Sequence, residues 1–209
     1  MQRPKRMRRI CVFCGSNSGN SSAYELAAAE LGRELAAREI ALVYGGSNVG
    51  LMGTVADAVL AGGGHVIGVI PRSLVDREVA HRGLPDLRVV ETMHERKALM
   101  ADLADGFIAM PGGYGTFDEL CEILTWAQLG IHSKPVGLLN TLRYWDPFLR
   151  FLDHAVDAGF LRRAHRQLLE VCECPSELVD LLVRAKPPAP QSKWMDSAAA
   201  VNACHSSTA

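Results

Sequence analysis

The chain has 209 residues, of which 48% are hydrophobic, enough for one folded domain with an ordinary core. Its 22 Lys and Arg against 23 Asp and Glu leave a net charge of −1, so the overall charge does not favour nucleic acid or a membrane surface as a partner. No apolar stretch approaches the ~18 residues that span a bilayer, and the apolar run at residues 10–14 is too short for a signal peptide. We therefore expect a cytoplasmic protein.

Short apolar runs and longer amphipathic runs alternate along the chain. The apolar runs predict strands at residues 9–15, 40–44, 65–70, 87–90, 106–110 and 135–139. The amphipathic runs predict helices from Ser21 or Ser22 to about Arg38, from the loop after Tyr44 to about Leu60, over 93–103, 117–129 and 145–156, and from Pro175 onward. Residues 72–85 show no clear periodicity. Such alternation, with strands that are apolar throughout, predicts an α/β fold whose parallel sheet carries helices on both faces.

The composition changes near Lys186, where prolines give way to Ser, Ala, Asn and Thr with little apolar pattern. We predict that residues 1–186 form a single domain and that residues 187–209 form a flexible tail.

Two cysteine pairs, Cys11 with Cys14 and Cys172 with Cys174, call for an interpretation. The first pair lies in a predicted strand, and its spacing points the two thiols to opposite faces. A zinc site built from both pairs is the alternative, although the C-x-C spacing is unusual for zinc. We interpret the cysteines as reduced and expect no metal site.

Three glycine-rich loops follow predicted strands, after Cys14, after Tyr44 and after Met110. Since the carboxyl ends of parallel strands share one edge of a sheet, these loops are expected to line one cleft. The second loop, residues 45–53, matches neither a dinucleotide-binding fingerprint nor a Walker A loop. A single phosphate or one nucleotide therefore fits this edge better, with the second loop contributing Gly45, Gly46 and Gly50.

The third loop reads Pro-Gly-Gly-Tyr-Gly-Thr and leads into a predicted helix. A glycine-rich loop at a helix N-terminus offers free N–H groups and the positive end of the helix dipole to a phosphate. Glu119 follows and has two interpretations. It is a catalytic carboxylate, or it forms a capping box with Thr116 and only stabilises the helix.

Arg96 and Lys97 lie in the first turns of another predicted helix, where cations oppose the helix dipole. Local stability does not explain them. They belong either to a solvated helix face or to a phosphate site, where an arginine supplies two parallel hydrogen bonds.

Residues 111–119 resemble the P-G-G-x-G-T-x-x-E motif of the LOG (LONELY GUY) family, cytokinin-activating phosphoribohydrolases long mislabelled as lysine decarboxylases. Residues 93–98, 45–53 and 125–140 also resemble segments of that family, and the resemblance runs from about Arg9 to Val183.

The resemblance implies a Rossmann-like fold and a homodimer with sites near the subunit interface. It implies hydrolysis of the N-glycosidic bond of a nucleoside 5′-monophosphate, AMP or its N6-prenylated form, without a metal or organic cofactor. Arg96 and Glu119 match the family's catalytic pair. The family's substrate contacts correspond to Glu78, Lys97, Gly113, Tyr114, Gly115, Thr116, Phe117, Asp118 and Thr125.

Two other functions are weighed against this one. A nucleotide-binding or sensing module would use the same phosphate loop without turnover. Decarboxylation with pyridoxal phosphate is poorly supported, because no lysine can be singled out for the Schiff base together with a partner for the pyridinium nitrogen.

Overall fold

The computed structural model describes residues 7–75 and 80–185. The strands of the described chain are β1 Arg9–Phe13, β2 Ala41–Tyr44, β3 Val66–Pro71, β4 Asp86–Val90, β5 Gly106–Ala109, β6 Val136–Leu139 and β7 Leu169–Cys172. The helices are α1 Ser22–Ala37, α2 Gly50–Ala61, α3 Arg72–Val75, α4 Met93–Leu103, α5 Tyr114–Gln128, α6 Asp146–Asp157, α7 Arg163–Arg166 and α8 Pro175–Arg184. A short 3₁₀ helix, Thr141–Arg143, follows β6.

The strands form one parallel sheet in the order β4-β3-β2-β1-β5-β6-β7. The predicted α/β fold is confirmed. The direction of strand order reverses between β1 and β5, which pair side by side with Phe13 opposite Ala109. A reversal of this kind opens a crevice at the carboxyl ends of the two strands, the usual ligand site of Rossmann-like sheets.

Side chains alternate along β1 and divide the core into two apolar layers. Ile10, Val12 and Cys14 face the layer that holds α1, α2 and α8, and Cys11 and Phe13 face the layer that holds α4 and α5. Helices therefore cover both faces of the sheet, as predicted. The thiols of Cys11 and Cys14 point to opposite faces and are free, also as predicted.

Several boundaries and elements differ from the sequence-based expectations. α5 begins at Tyr114 instead of Phe117. The segment without periodicity contains the short helix α3, and the strand β7 and helix α7 were not predicted. β7 is an edge strand with two exposed residues among its four, so it lacks the fully apolar pattern that marked the central strands.

Two expectations lie outside the described residues: the substrate contact at Glu78 and the flexible tail at 187–209. The boundary of the domain at residue 186 therefore stays a prediction. Within 7–75 and 80–185, no helix combines the length and the apolar character needed to cross a membrane.

Candidate active site

The loops after β1, β2 and β5 meet at the carboxyl edge of the sheet. The Gly15 N–H donates to the Pro111 carbonyl at 3.0 Å, and the Leu51 N–H donates to the Gly15 carbonyl at 3.1 Å. Together they line a cavity of about 460 Å³. Its lining includes Gly15, Gly45, Arg96, Gly112, Gly113, Tyr114, Gly115, Thr116 and Glu119. The prediction that three glycine-rich loops line one cleft is confirmed.

Side-chain caps from Thr92 and Glu95 fix the start of α4, the helix that carries Arg96. The Thr92 hydroxyl accepts a hydrogen bond from the Glu95 N–H at 3.1 Å, and the Glu95 carboxylate accepts one from the Glu91 N–H at 2.9 Å. The T-x-x-E pattern is typical of such a cap. It places Arg96 at the end of the first helical turn, facing the sheet, where its side chain is buried.

Three contacts hold the Arg96 guanidinium at the cavity wall. Its Nε donates to the Val69 carbonyl at 3.1 Å, and its Nη1 donates to Glu119 Oε1 at 2.9 Å. Its Nη2 lies against Gly45, where a Cβ atom would come within 2.0 Å of that nitrogen. Glycine at position 45 is therefore required for the guanidinium to reach the cavity.

The capping-box interpretation of Glu119 is wrong. The N-cap of α5 is Gly113, so Thr116 is the third residue of the helix and its backbone is already helical. Glu119 lies in the second turn, and its carboxylate bonds Arg96 instead of a backbone N–H.

Burial controls the electrostatics of Glu119. Its side chain is only 9% exposed, and this desolvation raises its pKa above the ordinary value, while Arg96 opposes the rise. The net direction is upward because burial in this part of the core outweighs one guanidinium. A buried carboxyl with a raised pKa beside a cavity is a common feature of groups that exchange protons with a substrate.

The first turn of α5 presents unpaired backbone donors to the cavity. Within the described residues, the N–H groups of Gly113, Tyr114, Gly115 and Thr116 have no acceptor, and the helical bonding begins with the Phe117 N–H to the Gly113 carbonyl at 3.0 Å. Four such donors with the positive end of the helix dipole form a site for an anion such as phosphate.

Some predicted substrate contacts lie outside the cavity lining. Lys97 Nζ pairs with Asp118 Oδ2 at 3.0 Å and with Glu122 Oε1 at 3.2 Å. Burial lowers the pKa of Lys97, but these two carboxylates outweigh it and leave the pKa above its ordinary value. The lysine therefore ties α4 to α5 in this structure.

The other predicted residues outside the lining have structural surroundings of their own. Thr125 is exposed and donates to the Cys121 carbonyl at 2.7 Å. Phe117 packs edge-on against Trp145 at 5.7 Å between ring centroids. Of the three glycines predicted in the second loop, Gly45 lines the cavity and the other two do not. Gly46 accepts a hydrogen bond from the His81 N–H, and Gly50 begins α2 against the backbone of Ser16.

Sequence reasoning missed part of the cavity wall. Tyr24, Tyr144 and Leu74 line it without having been predicted, whereas residues 16–19 and Met52 belong to loops that were expected there. The sequence did indicate the first loop, because it follows β1 at the same sheet edge as the other two loops. No local pattern indicated the two tyrosines, because they reach the cavity from α1 and from the turn before α6 only through tertiary packing.

The fold and the site define a Rossmann-like α/β protein with a buried arginine–glutamate pair beside a helix N-terminus whose backbone N–H groups are free within the described residues. The family model described as "Possible lysine decarboxylase" matches residues 52–182. A cytokinin riboside 5′-monophosphate phosphoribohydrolase from Oryza sativa subsp. japonica is 56% identical over 85% of this chain and 74% of the relative. One from Arabidopsis thaliana is 48% identical over 93% of each chain. The chain belongs to the LOG family of these phosphoribohydrolases.

Solved structures share the fold at much lower identity. The molybdenum cofactor carrier protein from Chlamydomonas reinhardtii superposes with a TM-score of 0.65 at 23% identity, over 86% of this chain and 100% of that one. The molybdenum cofactor binding protein from Rippkaea orientalis gives a TM-score of 0.64 at 21% identity, over 85% and 96%. These likenesses support the Rossmann-like architecture.

Proposed function

We propose that this chain hydrolyses the N-glycosidic bond of a nucleoside 5′-monophosphate and releases the free base and ribose 5-phosphate. The observation that carries the proposal is one cavity that holds both a buried Arg96–Glu119 pair and the free amides of the α5 N-terminus. The curated relatives, which are named for this class of reaction, support it.

The reaction divides between two parts of the cavity. The N–H groups of residues 113–116 bind the 5′-phosphate, and this remote binding energy holds the ribose in place. Glu119 lies on the same helix, about one turn from that site. Its carboxylate is therefore placed to act on the sugar of a nucleotide whose phosphate occupies the loop.

The bond changes follow from the chemistry of a glycoside. The bond between C1′ and the base nitrogen breaks, the base takes the electron pair, and positive charge develops on the ribose. The Glu119 carboxylate stabilises that charge and accepts a proton from the attacking water, whose oxygen forms the new bond to C1′. The departing nitrogen takes up a proton from solvent, and Glu119 returns to solvent the proton that it accepted from the attacking water. Arg96 orients the ribose phosphate region or offsets negative charge on the departing base.

The cavity also bears on the range of bases. Its volume of about 460 Å³ lies within the usual range for small-ligand sites, and Leu51, Met52, Leu74 and Met100 provide apolar surface beside Arg96. We propose both AMP and N6-prenylated AMP as substrates. The first test is to incubate the protein with each nucleotide and to measure free base and ribose 5-phosphate. Tight binding without release of base would favour the nucleotide-binding module instead.

We further propose that the chain is a cytoplasmic homodimer. Large apolar side chains are exposed after α5, at Leu129 and Ile131, and around α6, at Phe151 and Phe160, which is 91% exposed. Exposed apolar surface of this kind favours a protein partner, and a second copy fits the family resemblance. Sedimentation analysis of the wild type and of Ile131→Glu tests the proposal. A monomeric wild type would contradict it.

A further inference from the structure

We infer that Tyr144 is a positioning residue that orients the Gly113 N–H toward the substrate phosphate. The Tyr144 hydroxyl donates a hydrogen bond to the Gly112 carbonyl, in the middle of the phosphate-binding loop. The inference rests on the proposed function, since it assigns the role of that hydrogen bond in binding a 5′-phosphate.

The hydrogen bond to the Gly112 carbonyl also fixes the direction of the Gly113 N–H. The Gly112 carbonyl and the Gly113 N–H belong to the same planar trans peptide, so they point in opposite directions. When Tyr144 holds the carbonyl on its own side, the N–H must face away from Tyr144. Among the described residues no acceptor bonds that N–H, and Gly113 lies in the cavity lining.

This peptide needs an external anchor because glycines lie on both sides of it. Two glycines leave the peptide plane free to rotate, since no Cβ atom restricts either neighbouring dihedral angle. A rotated peptide would turn the carbonyl oxygen toward the anion and the N–H away from it. The glycine at 112 cannot be exchanged for a stiffer residue, because a Cβ atom there would lie 2.1 Å from Thr116 Oγ1.

Tyr144 itself is held firmly from both sides. Its ring packs edge-on against Tyr24, with ring centroids 6.3 Å apart, and against Trp145, with centroids 5.2 Å apart. Trp145 is fully buried, and its backbone N–H donates to Asn140 Oδ1 at 2.7 Å. The Asn140 side chain in turn donates to Asp146 Oδ1 at 2.9 Å.

The turn that delivers Tyr144 is strained. Leu142 and Arg143 both adopt left-handed backbone conformations, with φ of 52° and 59°, which side chains other than glycine adopt at a cost. Strain of this kind persists where the surrounding structure fixes it and is concentrated at functional sites. Here it lets the chain leave β6 and bring Tyr144 back over the loop that follows β5.

Tyr144→Phe tests the role, with Tyr44→Phe as the matched control. Tyr44 is fully buried, lies outside the cavity lining, and its hydroxyl has no hydrogen-bond partner among the described residues. In Tyr144→Phe we expect KM for the nucleoside 5′-monophosphate to rise at least about tenfold, the effect of weakening one hydrogen bond to a charged group. We expect kcat to stay within about threefold, because the group acts on binding. Tyr44→Phe should change neither.

Direct binding separates this role from a merely structural one. By calorimetry, Tyr144→Phe should weaken the binding of ribose 5-phosphate by the same factor by which KM rises. The affinity for adenine should stay unchanged. Equal weakening of both ligands, or of neither, would overturn the inference. The binding comparison decides the point even if the wild type shows no turnover, an outcome that would refute only the proposed function.

A measurement on the wild-type chain covers the case in which Tyr144→Phe does not fold. In ¹⁵N–¹H spectra, inorganic phosphate should shift the Gly113 amide proton downfield, as expected for an N–H that donates to an anion. A Gly113 signal that does not move while other amides of the loop respond would overturn the inference.

Discussion

Arg96 Nη1 lies 2.9 Å from Glu119 Oε1, and the two side chains are 10% and 9% exposed. The two charges offset each other, so the proposed attraction for a phosphate rests on the backbone amides of α5. Removing one partner of a buried ion pair leaves the other uncompensated, which is far more costly than exchanging both. The pair therefore limits which substitutions the site can accept.

Glu119→Gln should lower kcat by at least about 10²-fold while the affinity for ribose 5-phosphate changes little, because the amide keeps the shape of the side chain but not its charge. Turnover assays and calorimetry check both quantities. Glu122→Gln, which alters a carboxylate outside the cavity on the same helix, is the control. Near-normal turnover in Glu119→Gln would leave that residue a structural role only.

Gly45→Ala should displace the Arg96 guanidinium, since the new methyl group would come within 2.0 Å of Nη2. We expect the free energy of unfolding to fall by about 1–3 kcal/mol, as in other overpacked sites, and kcat/KM to fall at least about tenfold. Urea unfolding and steady-state kinetics measure the two effects. Gly83→Ala serves for comparison, because its methyl group would meet only His81, at 3.3 Å. Wild-type activity in Gly45→Ala would show that the guanidinium can move without loss.

His132 should make stability depend on pH. Its Nε2 donates to the Ile123 carbonyl at 3.0 Å, and its Nδ1 accepts from the Lys134 N–H at 3.1 Å, so the ring is neutral. Burial lowers the pKa of His132 below its ordinary value, although the bond to Ile123 opposes this. The unfolded chain therefore binds the proton more readily. The free energy of unfolding therefore keeps the full contribution of the neutral His132 ring above about pH 6.5, and this contribution is lost as the pH falls below that value.

Urea unfolding at pH 7.5 and pH 5.5 measures this dependence in the wild type, His132→Asn and His154→Asn. The loss of stability at the lower pH should be smaller in His132→Asn than in the wild type. His154 is exposed on α6, and its replacement should leave the pH dependence as it is. An unchanged dependence in His132→Asn would refute the assignment.

Leu142→Asn should stabilise the fold. Leu142 is 58% exposed and has a φ of 52°, a conformation that costs asparagine less than leucine. The free energy of unfolding should rise by about 0.5–1 kcal/mol. The same exchange at Leu181, which is 41% exposed within α8, should give no gain. A stability of Leu142→Asn at or below that of the wild type would mean that the strain is relieved elsewhere.

The sequence was sufficient for six of the seven described strands, for most helices and for the glycine-rich loop before α5, because these depend on local periodicity and on glycine content. It was not sufficient for contacts between distant residues. Arg96 and Glu119 are 23 positions apart, and Tyr144 and Gly112 are 32 apart. Local patterns left Glu119 as either a catalytic carboxylate or a helix cap, and left Arg96 as part of either a solvated helix face or a phosphate site. The packing of α4 against the sheet is what brings the two side chains together.

A local pattern gives a wrong prediction where the same residues occur in two different structural settings. The T-x-x-E pattern occurs at Thr92–Glu95 and at Thr116–Glu119, and only the first caps the start of its helix. At the second, the helix begins three residues earlier, from Tyr114, which the glycine content of the loop permits. The burial of Glu119 and its bond to Arg96 depend on tertiary structure, which a four-residue pattern does not encode.

The hydrogen bond from the Gly15 N–H to the Pro111 carbonyl has a consequence for how the protein is made. It joins the first loop of the chain to one that leaves the ribosome much later, and Tyr144 completes the cavity later still. During synthesis the early glycine loops remain without their partners, because contacts between distant segments form late in folding. A nascent chain that stops before β6 should therefore contain both Arg96 and Glu119 and yet lack the complete wall that closes the site.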